Sequence, residues 1–164
     1  MKILMFLPLM INSDHTVQQP DILFVNNKEV KMQYTFPLEN LQLDKRPFGY
    51  TRRTAPNTAC WRGYAAYWEI INDKLYLKSV KRCNGDNQKP NSLDLSKFFS
   101  TNNLTYEMEN DMIHANWFTG DLPIKSEDSE IALKSNKSIN AKINNEPNVA
   151  NIINGVVIEY KRFK

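Results

Sequence analysis

The segment from Cys60 to Val80 constrains the fold more than any other part of the sequence. Its first half alternates between two faces, one carrying Tyr64, Ala66, Trp68 and Ile70 and the other Ala65, Tyr67 and Glu69. This period of two predicts a half-buried strand. Asn72-Asp73 suits a tight turn. The returning strand places Leu75, Leu77 and Ser79 opposite Tyr76, Lys78 and Val80. The segment therefore predicts an antiparallel, aromatic-rich hairpin.

Similar patterns recur along the chain. Residues 21–36 predict a second hairpin that turns at Asn26-Asn27 and ends at Pro37. Ser92 is a candidate N-cap for a short helix over 93–100. Further strands are predicted over 112–125, 130–134 and 155–163, the last after an Asn154-Gly155 turn, and 135–151 is expected to be exposed. The fold class predicted is mainly β, at the margin of α+β: an antiparallel sandwich or coiled sheet with one short helix.

The length of 164 residues favours a single domain over 1–164. Residues 20–163 would form its core, and 1–19 an N-terminal extension or first strand. The apolar run after Lys2 imitates a signal peptide, but it is short, contains Pro8, and lacks a good cleavage site. A buried first strand in a cytoplasmic protein without a membrane span is the favoured interpretation. Secretion is the alternative if 1–19 is a cleaved signal peptide.

Cys60 and Cys83 flank the central hairpin, so a disulfide between them is conceivable. A reduced, buried pair is the default expectation for a cytoplasmic protein. The two cysteines have neither metal-ligand spacing nor a partner histidine, which makes zinc unexpected.

Residues 44–64 form a long irregular segment in which arginines and lysines stand among aromatic residues. We call this segment the basic loop. Long loops of this kind are often functional, and Trp, Tyr and Arg are enriched at interface hot spots. The candidate partner-binding residues are Arg52, Arg53, Trp61 and Arg62.

The sequence contains no recognisable catalytic constellation. His15 and His114 are the two histidines, and His114, within a predicted strand, is expected to be a surface or satisfied histidine. Glu69 is the carboxylate of most interest, with a surface ion pair to Lys78 or Arg62 as the simpler interpretation. No phosphate loop, nucleophile elbow or zinc-protease motif occurs. The chain is therefore expected to be no enzyme, and no cofactor or metal site is predicted.

Several segments resemble a family of small bacterial proteins that has no assigned activity. The resemblance covers about residues 20–160 and is carried by Trp61-Arg-Gly-Tyr64, Trp68-Glu-Ile70, Trp117-Phe-Thr-Gly120 and Asn154-Gly-Val-Val157. Some such proteins accompany toxin modules of interbacterial competition systems. The resemblance thus implies a fold unit and suggests an immunity protein.

Three functions follow as expectations. The leading one is a non-catalytic protein-binding module, most concretely an immunity protein that neutralises a toxin encoded beside it. Since the net charge is +3, the toxin surface would be acidic or largely apolar. The second is a small-molecule-binding or enzymatic β domain whose pocket holds Trp61, Tyr67, Trp117, Arg62 and Glu69. The third is nucleic-acid binding through stacked aromatics, which the mild charge makes unexpected.

Overall fold

The structure is a computed structural model that describes residues 17–32, 34–51, 53–83, 91–124 and 148–161. Three predictions concern residues outside these ranges. They are the first strand or signal peptide over 1–19, of which only 17–19 are described, the strand over 130–134, and the candidate Arg52. The prediction of a single domain stays a prediction, although all the described strands belong to one sheet.

The described chain is mainly β, as predicted. Its strands are β1 (Asp21–Val25), β2 (Lys28–Met32), β3 (Tyr64–Ile71), β4 (Lys74–Arg82), β5 (Met108–Glu109), β6 (Met112–His114), β7 (Gly120–Pro123), β8 (Val149–Ile153) and β9 (Val156–Lys161). One α-helix, α1 (Leu95–Thr101), and two 3-10 helices, Pro37–Asn40 and Pro47–Gly49, complete the described elements.

The strands form a mixed sheet in the order β2-β1-β3-β4-β9-β8-β7. The outer strands β2 and β7 contact each other, so the sheet is nearly closed into a barrel. A short hairpin of β5 and β6 branches from β4. The coiled-sheet prediction is therefore confirmed. The predicted antiparallel arrangement was wrong for the pairing of β1 with β3, which is parallel.

In the described ranges, four hairpins turn at two residues that both have positive φ. These turns are Asn26-Asn27, Asn72-Asp73, Asn110-Asp111 and Asn154-Gly155. Two-residue turns of this geometry match the right-handed twist of the flanking strands, and asparagine tolerates them well. The repeated turn explains part of the chain's unusual use of twenty asparagines.

The core lies inside the coiled sheet. On β3, Tyr64, Ala66 and Trp68 are fully buried, as the alternation predicts. On β4 a β-bulge interrupts the alternation. Tyr67 pairs with Ser79 and Trp68 pairs with Leu77, so Lys78 is an extra residue with no counterpart on β3. Val80 therefore faces the core instead of Ser79, and the predicted face assignment was wrong at these two residues.

Three other predicted boundaries need correction. Residues 91–93 pair along β4, with Leu93 N donating to Val80 O at 2.9 Å. Helix α1 therefore begins at Leu95, two residues after the predicted start, and its N-cap is Asp94 rather than Ser92. The predicted strand over 112–125 is two short strands, β6 and β7. The segment over 135–151 was predicted to be exposed, but its end belongs to β8, where Ala150 is fully buried.

A disulfide joins Cys60 and Cys83, whose Cα atoms are 6.4 Å apart. The two residues stand just before β3 and just after β4, so the bond ties together the open end of the central hairpin. The expectation of a reduced pair was wrong. The pairing of β3 and β4 brings the two ends of the hairpin together, a proximity that spacing alone could not establish.

Trp68→Ala is expected to lower the free energy of unfolding by about 3–5 kcal/mol, because it removes a fully buried ring from the core. Chemical denaturation measures the loss. Tyr67→Ala, on the opposite face of the same strand, is the control and should cost less. Equal losses in the two variants would contradict the assignment of faces.

Cys60→Ala/Cys83→Ala is expected to lower the free energy of unfolding by roughly 3–4 kcal/mol, the effect of releasing a closed loop of this size in the unfolded chain. The cysteines are 23 residues apart. Intact mass before and after reduction should show the gain of two hydrogens. Full alkylation of both thiols in the folded, unreduced protein would contradict the disulfide.

Candidate binding site

A buried ion pair fixes the end of the basic loop to the sheet. Arg62 Nη1 donates to Asp21 Oδ1 at 2.7 Å, and Arg62 Nη2 donates to Gln19 O at 2.6 Å. The side chains of Arg62 and Asp21 are only 1% and 0% exposed. The Asp21 carboxylate also accepts Ala66 N–H and Trp68 Nε1–H, both at 3.1 Å. Arg62 is therefore buried and already paired within the protein, and its predicted role as a partner contact stays a prediction.

Two opposing effects act on the pKa of the Asp21 carboxyl. Burial raises the pKa of the carboxyl, since a charge is poorly solvated there. The Arg62 guanidinium and the hydrogen bonds from Ala66 N–H and Trp68 Nε1–H act to lower it. The packing of Arg62 against the Phe36 ring, 3.8 Å from its centroid, completes the enclosure of the pair.

A second network joins the basic loop to the first 3-10 helix. Arg46 Nη2 lies 2.8 and 3.1 Å from the two carboxylate oxygens of Glu39, and the Tyr64 hydroxyl donates to the same carboxylate. Burial and the Glu39 charge raise the pKa of Tyr64 well above its usual range, so the phenol stays protonated as a donor. The Arg46 guanidinium lies 5.5 Å from the ring centroid of the half-buried Trp61.

A third cation, Arg82, contacts the middle of the basic loop. The Arg82 guanidinium of β4 lies 4.2 Å from the Phe48 ring centroid, and Arg82 Nη1 donates to the Tyr50 hydroxyl at 3.2 Å. Phe48 has φ 57 and ψ 10, a left-handed conformation that is rare for a bulky residue. Gly63 is required here, because the Tyr50 ring occupies the place where a Cβ atom would stand. These contacts thus hold the basic loop in place, although its only regular elements among the described residues are the short 3-10 helix Pro47–Gly49 and the start of β3.

A cavity of about 660 Å³ lies between residues 44–51 of the basic loop and helix α1. We call it the cleft. It is lined by Asp44, Lys45, Arg46, Gly49, Tyr50, Thr51, Leu93, Asp94, Lys97, Phe98, Thr101 and Asn102. The two walls are joined by a hydrogen bond of 2.8 Å from Lys45 N to Asn102 Oδ1. A cavity of this size is in the range of small-molecule sites and of pockets that receive a partner's side chain.

The three predicted site residues that the structure describes, Arg53, Trp61 and Arg62, do not line the cleft. Arg62 is buried, Arg53 is exposed outside the cleft lining, and Trp61 is half-buried against Arg46. Sequence reasoning found one wall, because Lys45, Arg46 and Tyr50 belong to the loop that was singled out. It missed the other wall, Lys97 and Phe98, because roughly fifty residues separate the two and no local pattern signals their contact.

The residues proposed for an aromatic pocket point in different directions. Trp117 is half-buried and packs against the core, with its ring centroid 5.4 Å from that of Phe99 and its Nε1–H donating to Pro37 O at 3.0 Å. Tyr67 lies on the other face of the sheet with Lys81 Nζ 4.6 Å from its ring centroid. Since these residues face opposite sides of the sheet, they cannot line one pocket.

The two titratable groups with the most catalytic interest have structural partners. Glu69 forms an ion pair with Lys78 at 2.8 Å, which is the simpler of the two interpretations predicted. His114 Nδ1 lies 3.6 Å from Glu107 Oε2, and His114 Nε2 lies 3.4 Å from Gly155 O. Both ring nitrogens therefore face oxygen atoms of the protein. Among the described residues, no three His, Cys, Asp or Glu side chains are grouped as potential metal ligands.

The comparisons with known proteins identify no relative. No family model matches the chain, and neither a curated protein nor a solved structure shows significant similarity to it. Within the part of the chain that the structure describes, no helix has the length and apolar character needed to cross a membrane.

Arg62→Met is expected to lower the free energy of unfolding by about 3–5 kcal/mol, because it leaves the Asp21 carboxylate buried without its cation. The double variant Arg62→Met/Asp21→Asn should lose less than the sum of the two single variants. Denaturant titration of all four proteins completes this cycle. Simple additivity would contradict the coupling of the two side chains.

Proposed function

We propose that the protein is a non-catalytic binding module that docks a protein partner on the face formed by the basic loop and helix α1. The cleft carries this proposal, since it is a concave surface with an aromatic floor and charged groups at its rim. Interfaces concentrate their affinity in such pockets, where an anchor side chain is buried and polar groups surround it. The networks around Arg46, Arg62 and Arg82 support it further, because a braced loop loses little conformational entropy on binding.

The most concrete form of the proposal is neutralisation of a toxin encoded beside this protein. The resemblance of the Trp61–Tyr64 and Trp117–Gly120 segments to small proteins associated with toxin modules supports it. The partner surface would be acidic or largely apolar, as expected for a chain of net charge +3.

The disulfide bears on the compartment in which the partner is met. Disulfides form and persist mainly in oxidising environments outside the cytosol. The Cys60–Cys83 bond therefore favours the secretion alternative over the cytoplasmic expectation. The proposed site of action is accordingly an oxidising compartment.

A second candidate function is the binding of a small molecule in the same cleft. Its volume of about 660 Å³ favours this alternative, because small-molecule sites typically measure about 300–1,000 Å³. Nucleic-acid binding has less support. Arg46 and Arg62 are paired with carboxylates, and Arg82 is stacked on Phe48, so these arginines are already engaged within the protein.

Affinity purification with the wild-type protein as bait, from the extracytoplasmic fraction of the native host, is expected to recover one protein at defined stoichiometry. Lys45→Glu/Lys97→Glu should weaken that binding at least tenfold, because it places negative charge at both walls of the cleft. Surface-based binding measurements on the purified pair give the ratio.

Lys31→Glu is the matched control for charge reversal, because Lys31 is exposed on β2 and does not line the cleft. It should bind as the wild type does. Equal weakening by both charge reversals would show a general electrostatic effect and would contradict the cleft as the docking site. A partner that binds normally to Lys45→Glu/Lys97→Glu would contradict it as well.

A further inference from the structure

A second cavity, of about 390 Å³, opens at the end of the sheet opposite the basic loop. We call it the mouth. Strands β1, β3, β7 and β9 all end there, whereas the basic loop leads into the start of β3. The mouth is lined by Val25, Asn26, Ile70, Asn72, Asp73, Ile124 and Tyr160. The open ends of closed or nearly closed sheets often hold small-molecule sites, and this volume is within their usual range of about 300–1,000 Å³.

The floor of the mouth is aliphatic. The side chains of Val25, Ile70 and Ile124 pack against the core on one side and line the cavity on the other, so each is only half-buried. The Tyr160 ring forms one wall and is 43% exposed. An apolar molecule would remove these carbon atoms from water, which is favourable in proportion to the area covered.

Asp73 gives the mouth its charge. Asp73 Oδ1 accepts the Tyr160 hydroxyl at 2.9 Å, a bond that holds the carboxylate beside the ring. Among the described residues, no Lys, Arg or His lines the mouth and none forms an ion pair with Asp73. Lys74 and Lys161 neighbour Asp73 and Tyr160 in the chain but lie outside the lining, and Lys161 pairs with Glu159 at 3.6 Å. The described lining therefore carries one negative charge and no positive one.

We propose that the mouth binds a small organic amine, in which a protonated amino group is attached to a compact apolar body. The Asp73 carboxylate would face the ammonium group, and the Tyr160 ring beside it would add a cation–π contact. The body would lie on the three aliphatic side chains of the floor. Anions are disfavoured, because their charge would meet Asp73 and no lining cation. The mouth is separate from the cleft, so this inference goes beyond the proposed function and does not rest on it.

Phenethylamine, which is protonated at neutral pH, tests this chemistry when it is titrated into the ¹⁵N-labelled full chain. The amide signals of Asn26, Asn72 and Asp73, all residues that line the mouth, are expected to shift with a dissociation constant of about a millimolar, as befits a small probe. Phenethyl alcohol has the same ring and no charge, and should bind about threefold more weakly, the effect of one solvent-exposed ion pair. Methylammonium has the charge without the apolar body, and should cause no shift at the same concentration.

Asp73→Asn removes the charge and keeps the turn, because the Asn26-Asn27 turn of the same chain shows that two asparagines suit this geometry. It should lower the affinity for phenethylamine to that for phenethyl alcohol. Asp111→Asn is the matched control, since Asp111 has the same place in the Asn110-Asp111 turn and does not line the mouth. It should leave the affinity for phenethylamine unchanged. Unchanged dispersion of the amide spectrum shows that each variant is folded.

Shifts at the mouth with a preference for the amine over the alcohol, lost in Asp73→Asn and kept in Asp111→Asn, would support the inference. The absence of shifts at millimolar phenethylamine, or equal affinity for the amine and the alcohol, would overturn it. Shifts of the same amides when the protein is concentrated without a probe would overturn it as well, because a second copy of the chain would then cover the mouth. None of these results concerns the cleft, which Lys45→Glu/Lys97→Glu tests separately.

Discussion

The ion pair between Asp21 and Arg62 is the constraint on which much of the structure depends. Asp21 begins β1, Arg62 lies two residues before β3, and the same carboxylate accepts two N–H groups from β3 itself. Since β1 and β3 are parallel, no tight hairpin turn can set their register. The pair supplies what a turn cannot, because a shift of β1 by one residue would remove the buried carboxylate from its three donors. We regard it as a determinant of register more than of net stability, since burying two charges is costly in itself.

The same interaction explains how a long irregular loop can be ordered. Before Tyr64, where β3 begins, the described residues of the basic loop belong to no strand, so their position depends on contacts made by their side chains. Arg62 anchors it at one end, Arg46 joins it to Glu39, and Arg82 holds Phe48 and Tyr50 from β4. The disulfide closes the base of the hairpin beside these contacts. A left-handed Phe48 can persist in such surroundings, because the neighbouring contacts over-determine its conformation.

Local patterns in the sequence predicted the hairpins well and the long-range contacts poorly. The Asn26-Asn27, Asn72-Asp73 and Asn154-Gly155 turns were predictable, because their conformation depends on two adjacent residues. The faces of β3 followed from alternation, whereas the extra residue Lys78 reversed the end of β4, and no local signal marks such a bulge. The sequence indicated only one of the two walls of the cleft. One wall is a conspicuous loop, but the opposing helix comes into contact with it only through the fold of the sheet.

Residue type was the weakest guide to the binding site, and the reason is physical. Arginine next to aromatic rings is a favourable arrangement both at interfaces and inside proteins, because the planar guanidinium stacks on rings and binds carboxylates in each setting. An interface arginine differs from an internal one in whether its charge already has a partner within the same protein. Arg62 already has its carboxylate and its rings, so a partner has little to add. Lys45 and Lys97 line the cleft, and neither forms an ion pair among the described residues. Charged side chains without an ion-pair partner beside open apolar surface, rather than the presence of Arg and Trp, therefore direct the functional assignment to the cleft.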